Sequence, residues 1–204
     1  MFRVVMMMEK ELKEGVGYIR PQMARLITRL NVVSANGARA GKRTPWASAM
    51  LAKLRRAVGS EPGAYPDIWE VTLCECEGEG KAEWALHTAL TLFALHQQGS
   101  MESVSVDGVS FGKAVRQIYA KDNNKEQGVI RRFNALATAD SLAEFAHHAR
   151  GIIQLMKQEG VAMDYPSFAE DLFWYQIEKK RHGVRMQWGR DFYGGQNKEE
   201  KENE

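Results

Sequence analysis

Cysteine is nearly absent from this chain: there are two, Cys74 and Cys76, among 204 residues. Both fall in the acidic run LCECEGEG, with no second pair of ligands and no matching disulfide partner nearby. That excludes a disulfide scaffold and argues against a zinc site, so reduced thiols in a cytoplasmic protein are expected. No stretch reaches the roughly 18 uncharged apolar residues that a membrane span requires. The apolar start, MFRVVMMM, meets Glu9 too early to be a signal peptide, so a soluble, non-exported protein is expected. A glycine-rich phosphate loop is missing, as is a strand-loop-helix unit to hold one, which argues against nucleotide hydrolysis. No internal repeat is visible.

Histidine is sparse and badly spaced for metal chemistry. His147 and His148 are adjacent, and adjacent helical side chains diverge by about 100°, so they cannot chelate as positions i and i+4 do. His87 and His96 lie nine apart on one helical pattern and point in roughly opposite directions. Each is read as a hydrogen-bonded structural histidine. Asp140, Glu144, Glu170 and Asp171 are accounted for by helix N-terminal electrostatics without acid-base duty. No catalytic group, metal or cofactor is expected.

What is present is a core and segregated charge. Hydrophobic residues make up 44% and charged residues 26%, a globular balance. The net charge of +2 conceals blocks: residues 1–56 carry twelve Lys and Arg against three Glu, and 57–87 carry one Lys against seven acids. Residues 139–178 are again acidic and 179–193 basic, with five cations against one Asp. Local positive blocks, rather than net charge, are what phosphate neutralisation needs, although basic helix faces are often only solvated.

The central stretch, residues 129–160, joins both properties. It opens with Arg131 and Arg132 beside Phe133, and passes a polar break at 137–140 into the longest amphipathic pattern of the sequence. Ser141 with Glu144 reads as a capping box, with Asp140 as the alternative cap. Leu142, Phe145, Ala149, Ile152, Ile153 and Met156 form one apolar stripe, and Gly160 ends the helix. Elsewhere the pattern predicts a basic amphipathic helix over 18–33 with Pro21 in its first turn, and a helix over 46–58 with Lys53, Arg55 and Arg56 outward. An all-round apolar helix covers 82–98, and one capped by Ser110 covers 111–119, with Lys113 and Arg116 sharing an outer edge. A further helix is expected over 166–180, then a last segment at 184–193 sealed by Trp188, Phe192 and Tyr193. Loops are read at 34–46, around Arg39, Lys42 and Arg43, and at the acidic 75–81 and at 120–128. The stretch 99–110 is a polar loop or a short hairpin around Asp107-Gly108.

The expected architecture is all-α, roughly seven to nine helices in two packed bundles: residues 1–100, residues 101–193, and a disordered tail at 194–204.

Several segments resemble the CasB family, the small subunit of the type I-E CRISPR Cascade surveillance complex. They are LAKLRRAVG with the following PG, WALHTALTLFALHQQG, VSFGKAVRQIY, VIRRFNALATADSLAEFAHHARGIIQLMKQEGVAMDYPSFAEDL and VRMQWGRDFY, in order from about Met50 to Tyr193. The resemblance implies a helical, non-enzymatic subunit, present in tandem copies in an assembly with CRISPR RNA and the other Cascade proteins, with no membrane. It further implies basic surface that helps hold target DNA and stabilise the R-loop. By matching segment, the implied contacts are Arg55 and Arg56, Lys113 and Arg116, and Arg131 and Arg132. The segment before Met50 matches poorly, so Arg39, Lys42 and Arg43 inherit no role. The rival expectation is a purely structural interaction subunit whose arginines meet acidic protein.

Overall fold

A computed structural model describes residues 2–30, 43–74, 79–100, 102–120 and 126–194. Among them are nine α-helices and no strand: α1 (Phe2–Leu30), α2 (Pro45–Arg56), α3 (Trp69–Thr72), α4 (Glu79–His96), α5 (Phe111–Ala120), α6 (Glu126–Ala137), α7 (Leu142–Glu159), α8 (Tyr165–Tyr175) and α9 (Glu178–Tyr193). A 3-10 turn, Pro66–Ile68, leads into α3. The all-α expectation is met. Arg39, Lys42, Cys76, most of the acidic and 120–128 loops, and all of the tail but Gly194 lie outside the described residues.

The central stretch folds as its residues dictate. Ser141 Oγ accepts the Glu144 amide at 3.1 Å, while Glu144 Oε2 accepts the Asp140 amide at 2.9 Å, so Ser141 is the cap. The Asp140 amide foremost, with His148 beside it, holds the Glu144 carboxyl below the usual range. At the other end Gly160 has φ +60°, a left-handed conformation that glycine accepts without a Cβ clash. The stripe Phe145, Ala149, Ile152, Ile153 and Met156 is fully buried.

Two expected boundaries are corrected. The first helix does not start near Pro21; it runs from Phe2, with Pro21 inside it. An interior proline costs roughly 3 kcal/mol in lost hydrogen bonding and ring clash. Ile19, Met23, Leu26, Ile27 and Leu30 straddle it and are all buried, α1 packing on α4 and α8. At roughly 2 kcal/mol per buried side chain, packing outweighs the proline. The helix expected over 166–180 instead breaks at Gln176-Ile177, and α9 starts at Glu178 as one helix through Tyr193. The break is pinned by side chains distant in sequence. Arg181 Nε donates to the Tyr175 carbonyl at 2.9 Å, and Arg185 Nη2 donates to the Ala139 carbonyl at 2.7 Å and lies 3.0 Å from the Tyr175 hydroxyl.

The Asp107-Gly108 stretch is a loop, not a hairpin. It is stitched to the segment before α8: Ser105 bridges Met163, the Val106 amide donates to the Met163 carbonyl at 3.0 Å, and the Gly108 amide donates to Asp164 Oδ2 at 3.1 Å. Asp164 also caps α8, accepting the Ser167 amide at 2.8 Å.

The core is centred on Trp188. Its ring lies 5.1 Å from Phe111, 5.9 Å from Phe145 and 5.9 Å from Tyr175, bringing α5, α7, α8 and α9 together. Its Nε1 donates to Asp171 Oδ2 at 2.6 Å. Burial raises the Asp171 carboxyl from 3.8 to about 6, the Trp188 bond only partly opposing it. His96, whose Nδ1 lies 3.1 Å from the Tyr165 hydroxyl, is pushed by burial from 6.5 to about 4.

These two groups act in opposite directions. Ionised Asp171 costs the fold stability above about pH 6, and the cost is relieved as the pH falls toward 4. Neutral His96 costs nothing above pH 6.5 and becomes a growing liability below it, because only the unfolded state takes up the proton. Asp171→Asn keeps an acceptor for Trp188. It should raise stability at pH 7.5 by about 2 kcal/mol, at about 1.4 kcal/mol per pKa unit discounted for partial exposure, and should leave stability falling steadily from pH 6.5 to 4. Urea unfolding across that range checks both; an unchanged pH profile would count against the assignment.

Candidate nucleic-acid interface

The six cations expected to meet phosphate fall into two patches. The first is on α2, which starts cleanly because Thr44 Oγ1 accepts the Ala47 amide at 3.1 Å and Pro45 needs no donor in the first turn. Met50, Leu51 and Leu54 are buried on the inner face, which leaves Arg55 half-buried and Arg56 exposed at the C-terminal end. Arg56 Nη2 sits 2.9 Å from Asp67 Oδ2, and Lys53 Nζ donates to the Asp67 carbonyl at 3.4 Å. The Arg56 side chain is nevertheless 65% exposed. A surface pair of this kind contributes under about 1 kcal/mol, so a phosphate could displace Asp67.

The second patch is on α5 and α6, which pack on each other and on α7. Phe111, Ala114, Val115 and Ile118 are buried, so Lys113 stands exposed and Arg116 half-buried. On α6, Val129, Phe133 and Leu136 face inward and leave Arg131 and Arg132 exposed. Arg132 Nη1 donates to the Gly128 carbonyl one turn back at 3.1 Å. Neither Lys113 nor Arg131 has an acidic partner among the described residues. Packing of α5 on α6 brings Lys113, Arg116, Arg131 and Arg132 onto one pair of helices, while α2 packs on α1, α4 and the 66–68 turn.

Sequence reasoning missed the structural use of other cations. Arg43 belongs to the basic loop by sequence, but its Nη2 donates to the Ser100 carbonyl at 2.9 Å, fixing the chain just after α4. Burial and the charge of Arg55 lower its pKa. Arg20 reaches Asp164 at 3.5 Å and Glu170 at 3.7 Å. Arg181 and Arg185 are spent on the α8–α9 break. Charge blocks announce such residues without saying which are internal braces.

Several other polar groups hold local contacts. His87 Nε2 lies 3.3 Å from Ser60 Oγ, and burial lowers its pKa. His147 and His148 stand edge to face at 5.4 Å, and His148 Nε2 is 3.6 Å from Glu144. A cavity of about 580 Å³ at the C-terminal ends of α4 and α7 is lined by His96, Gln98, Ser100, Glu102 and Lys157. Among the described residues no three metal-ligating side chains cluster, and no helix is long and apolar enough to cross a membrane.

Fold and surface together define a class: an all-α protein that offers exposed cations on helix edges. Comparison with known proteins then gives the family. The family described as CRISPR-associated protein Cse2 (CRISPR_cse2) matches residues 50–193, and the chain belongs to it. The crystal structure of CasB from Thermobifida fusca is similar with a TM-score of 0.69 at 26% identity, covering 88% of this chain and 97% of that one. TTHB189, a CRISPR-associated protein of the Cse2 family from Thermus thermophilus, aligns with a TM-score of 0.61 at 21% identity, over 89% and 99%. CasB from M. ruber aligns with a TM-score of 0.60 at 24% identity, over 83% and 98%. Among curated proteins nothing matches the chain.

Proposed function

We propose that this protein is the non-catalytic small subunit of a type I-E CRISPR Cascade surveillance complex, in which its basic helix edges hold target DNA and stabilise the R-loop. Family membership supports a CRISPR-associated role. The observation that carries DNA contact is the pair Arg131 and Arg132, exposed on a helix that packs beside the exposed Lys113. Guanidinium and ammonium groups on such an edge neutralise phosphates without reading bases, so pairing between CRISPR RNA and target supplies the sequence information. Other Cascade proteins, CRISPR RNA, target DNA and a second copy of the chain are the partners of this reading.

Titration of the full chain with single-stranded and duplex DNA of unrelated sequences, over a salt series, tests it. Wild type should bind all sequences alike and weaken with salt. The double variant Arg131→Ala/Arg132→Ala should flatten the salt slope by about two units, one per lost phosphate contact. A second reading, a purely structural subunit, is favoured by the Arg56–Asp67 pair, in which a cation of the same set already meets an acid on protein. Absence of DNA binding at low salt would put that reading ahead.

A further inference from the structure

The basic block at 179–193 contributes no cation to the interface above. Arg181 and Arg185 are internal, but the outward side of α9 leaves Lys179, His182, Met186, Arg190 and Tyr193 exposed, at helical spacing along one stripe. Its C-terminal end runs into the α5–α6 patch. Phe192 is buried and stacks on Phe133 of α6, with ring centroids 4.4 Å apart and planes 20° from parallel, and it meets Tyr119 of α5 edge-on at 5.7 Å. Tyr193, the residue after Phe192, sets its ring edge-on to Phe192 with centroids 4.7 Å apart, so an exposed aromatic adjoins the buried stack.

A second tie is made by the residue before Phe192. Ser110 Oγ donates to Asp191 Oδ2 at 2.6 Å and also caps α5, accepting the Lys113 amide at 3.4 Å. Gln187 Nε2 donates to the other Asp191 oxygen at 3.0 Å. The Asp191 carboxylate is thus engaged by Ser110 and Gln187, and Arg190 beside it has no acidic partner among the described residues.

We propose that Tyr193 is a base-stacking position and Arg190 a phosphate contact, which extend the α5–α6 basic edge along α9 and take an unpaired nucleotide of a single strand. Tyr193 is 42% exposed at the end of a helix, against the buried Phe192 beside it. An exposed aromatic set among cations is the arrangement by which proteins hold single strands without sequence preference: the ring stacks on any base while the cations track the backbone. A duplex, with its bases already stacked on one another, has no face to offer the ring.

This inference rests on the DNA-binding reading above, and the test separates the two. The full chain and its Tyr193→Ala, Tyr193→Trp and Arg190→Ala variants are titrated, over a salt series, with labelled oligodeoxythymidine and with a duplex of equal length. Tyr193→Ala should weaken oligodeoxythymidine binding roughly tenfold, leave the salt slope unchanged and leave duplex binding as it is, while Tyr193→Trp retains affinity. Arg190→Ala should flatten the slope by about one unit for both probes. If Arg131→Ala/Arg132→Ala weakens binding but Tyr193→Ala binds oligodeoxythymidine as wild type does, the stacking proposal falls and the DNA-binding reading stands. Equal loss on single strand and duplex also overturns stacking. Failure of wild type to bind either probe removes both. Circular dichroism of the variants should match wild type, since Tyr193 and Arg190 are exposed at the end of α9.

Discussion

Gly112→Ala should lower stability by about 3 kcal/mol, the upper part of the range for overpacking a close contact. At this position α5 and α9 touch backbone to backbone: a Cβ on Gly112 would meet the Trp188 carbonyl oxygen and lie 2.8 Å from Asp191 Cβ. Neither neighbour can swing aside, one being backbone and the other the first atom of a side chain held by Ser110 and Gln187. The helices would have to part, loosening the stack of Phe192 on Phe133. Gly151, inside α7, supplies the control, because a Cβ there meets nothing within 4 Å. Gly151→Ala should stabilise by up to about 1 kcal/mol through helix propensity. Thermal melts check both: about 3 kcal/mol corresponds to a fall of roughly 10 °C for a domain of this size. A Gly112→Ala protein that melts with wild type would refute the close approach.

Trp188→Ala should cost more, about 5 kcal/mol. Removing a fully buried large aromatic typically costs about 3–5 kcal/mol, and Trp188 is 1% exposed with four aromatic neighbours. The change also strips Asp171 of its indole donor, leaving an inward carboxyl unsatisfied at about 1–3 kcal/mol. Because whole domains are stable by only about 5–15 kcal/mol, the variant should lose its near-ultraviolet circular dichroism or unfold at low urea. Trp188→Phe tests the two contributions separately, since it restores much of the ring but not the hydrogen bond. It should fall between wild type and Trp188→Ala. Combining it with Asp171→Asn should regain stability at pH 7.5, because a neutral amide left without the indole donor costs less to bury than an ionised carboxyl.

Much of this fold is readable from local pattern. The Ser141 and Gly160 boundaries of α7, the Ser110 start of α5, the buried stripe of α2 and the all-round burial of α4 follow from caps, periodicity and composition, and the structure bears them out. His87 and His96 sit on opposite sides of α4 with separate partners, Ser60 and Tyr165, as their spacing requires. Other features depend on contacts far along the chain. Pro21 looks like a helix start until α4 and α8 cover the residues around it, and Gln176-Ile177 looks helical until Arg181 and Arg185 reach back to Tyr175 and Ala139. The same limit applies to the interface. Paired arginines are visible in sequence, but the ion pair of Arg56 with Asp67, the bracing of Arg43 on Ser100 and the stacking of Phe192 on Phe133 are products of tertiary packing.

The position of α1 also sets a schedule. Its apolar side chains, Ile19, Met23 and Leu26 among them, are fully buried in the finished protein, and part of their cover is α8, which begins at Tyr165. A ribosome adding roughly 5–20 residues per second makes α8 on the order of ten seconds after α1. Through that interval only α2 and α4 can shield the helix, each only after it has emerged. The nascent chain therefore carries a partly uncovered greasy flank until α8 appears, and chaperones are needed through that interval.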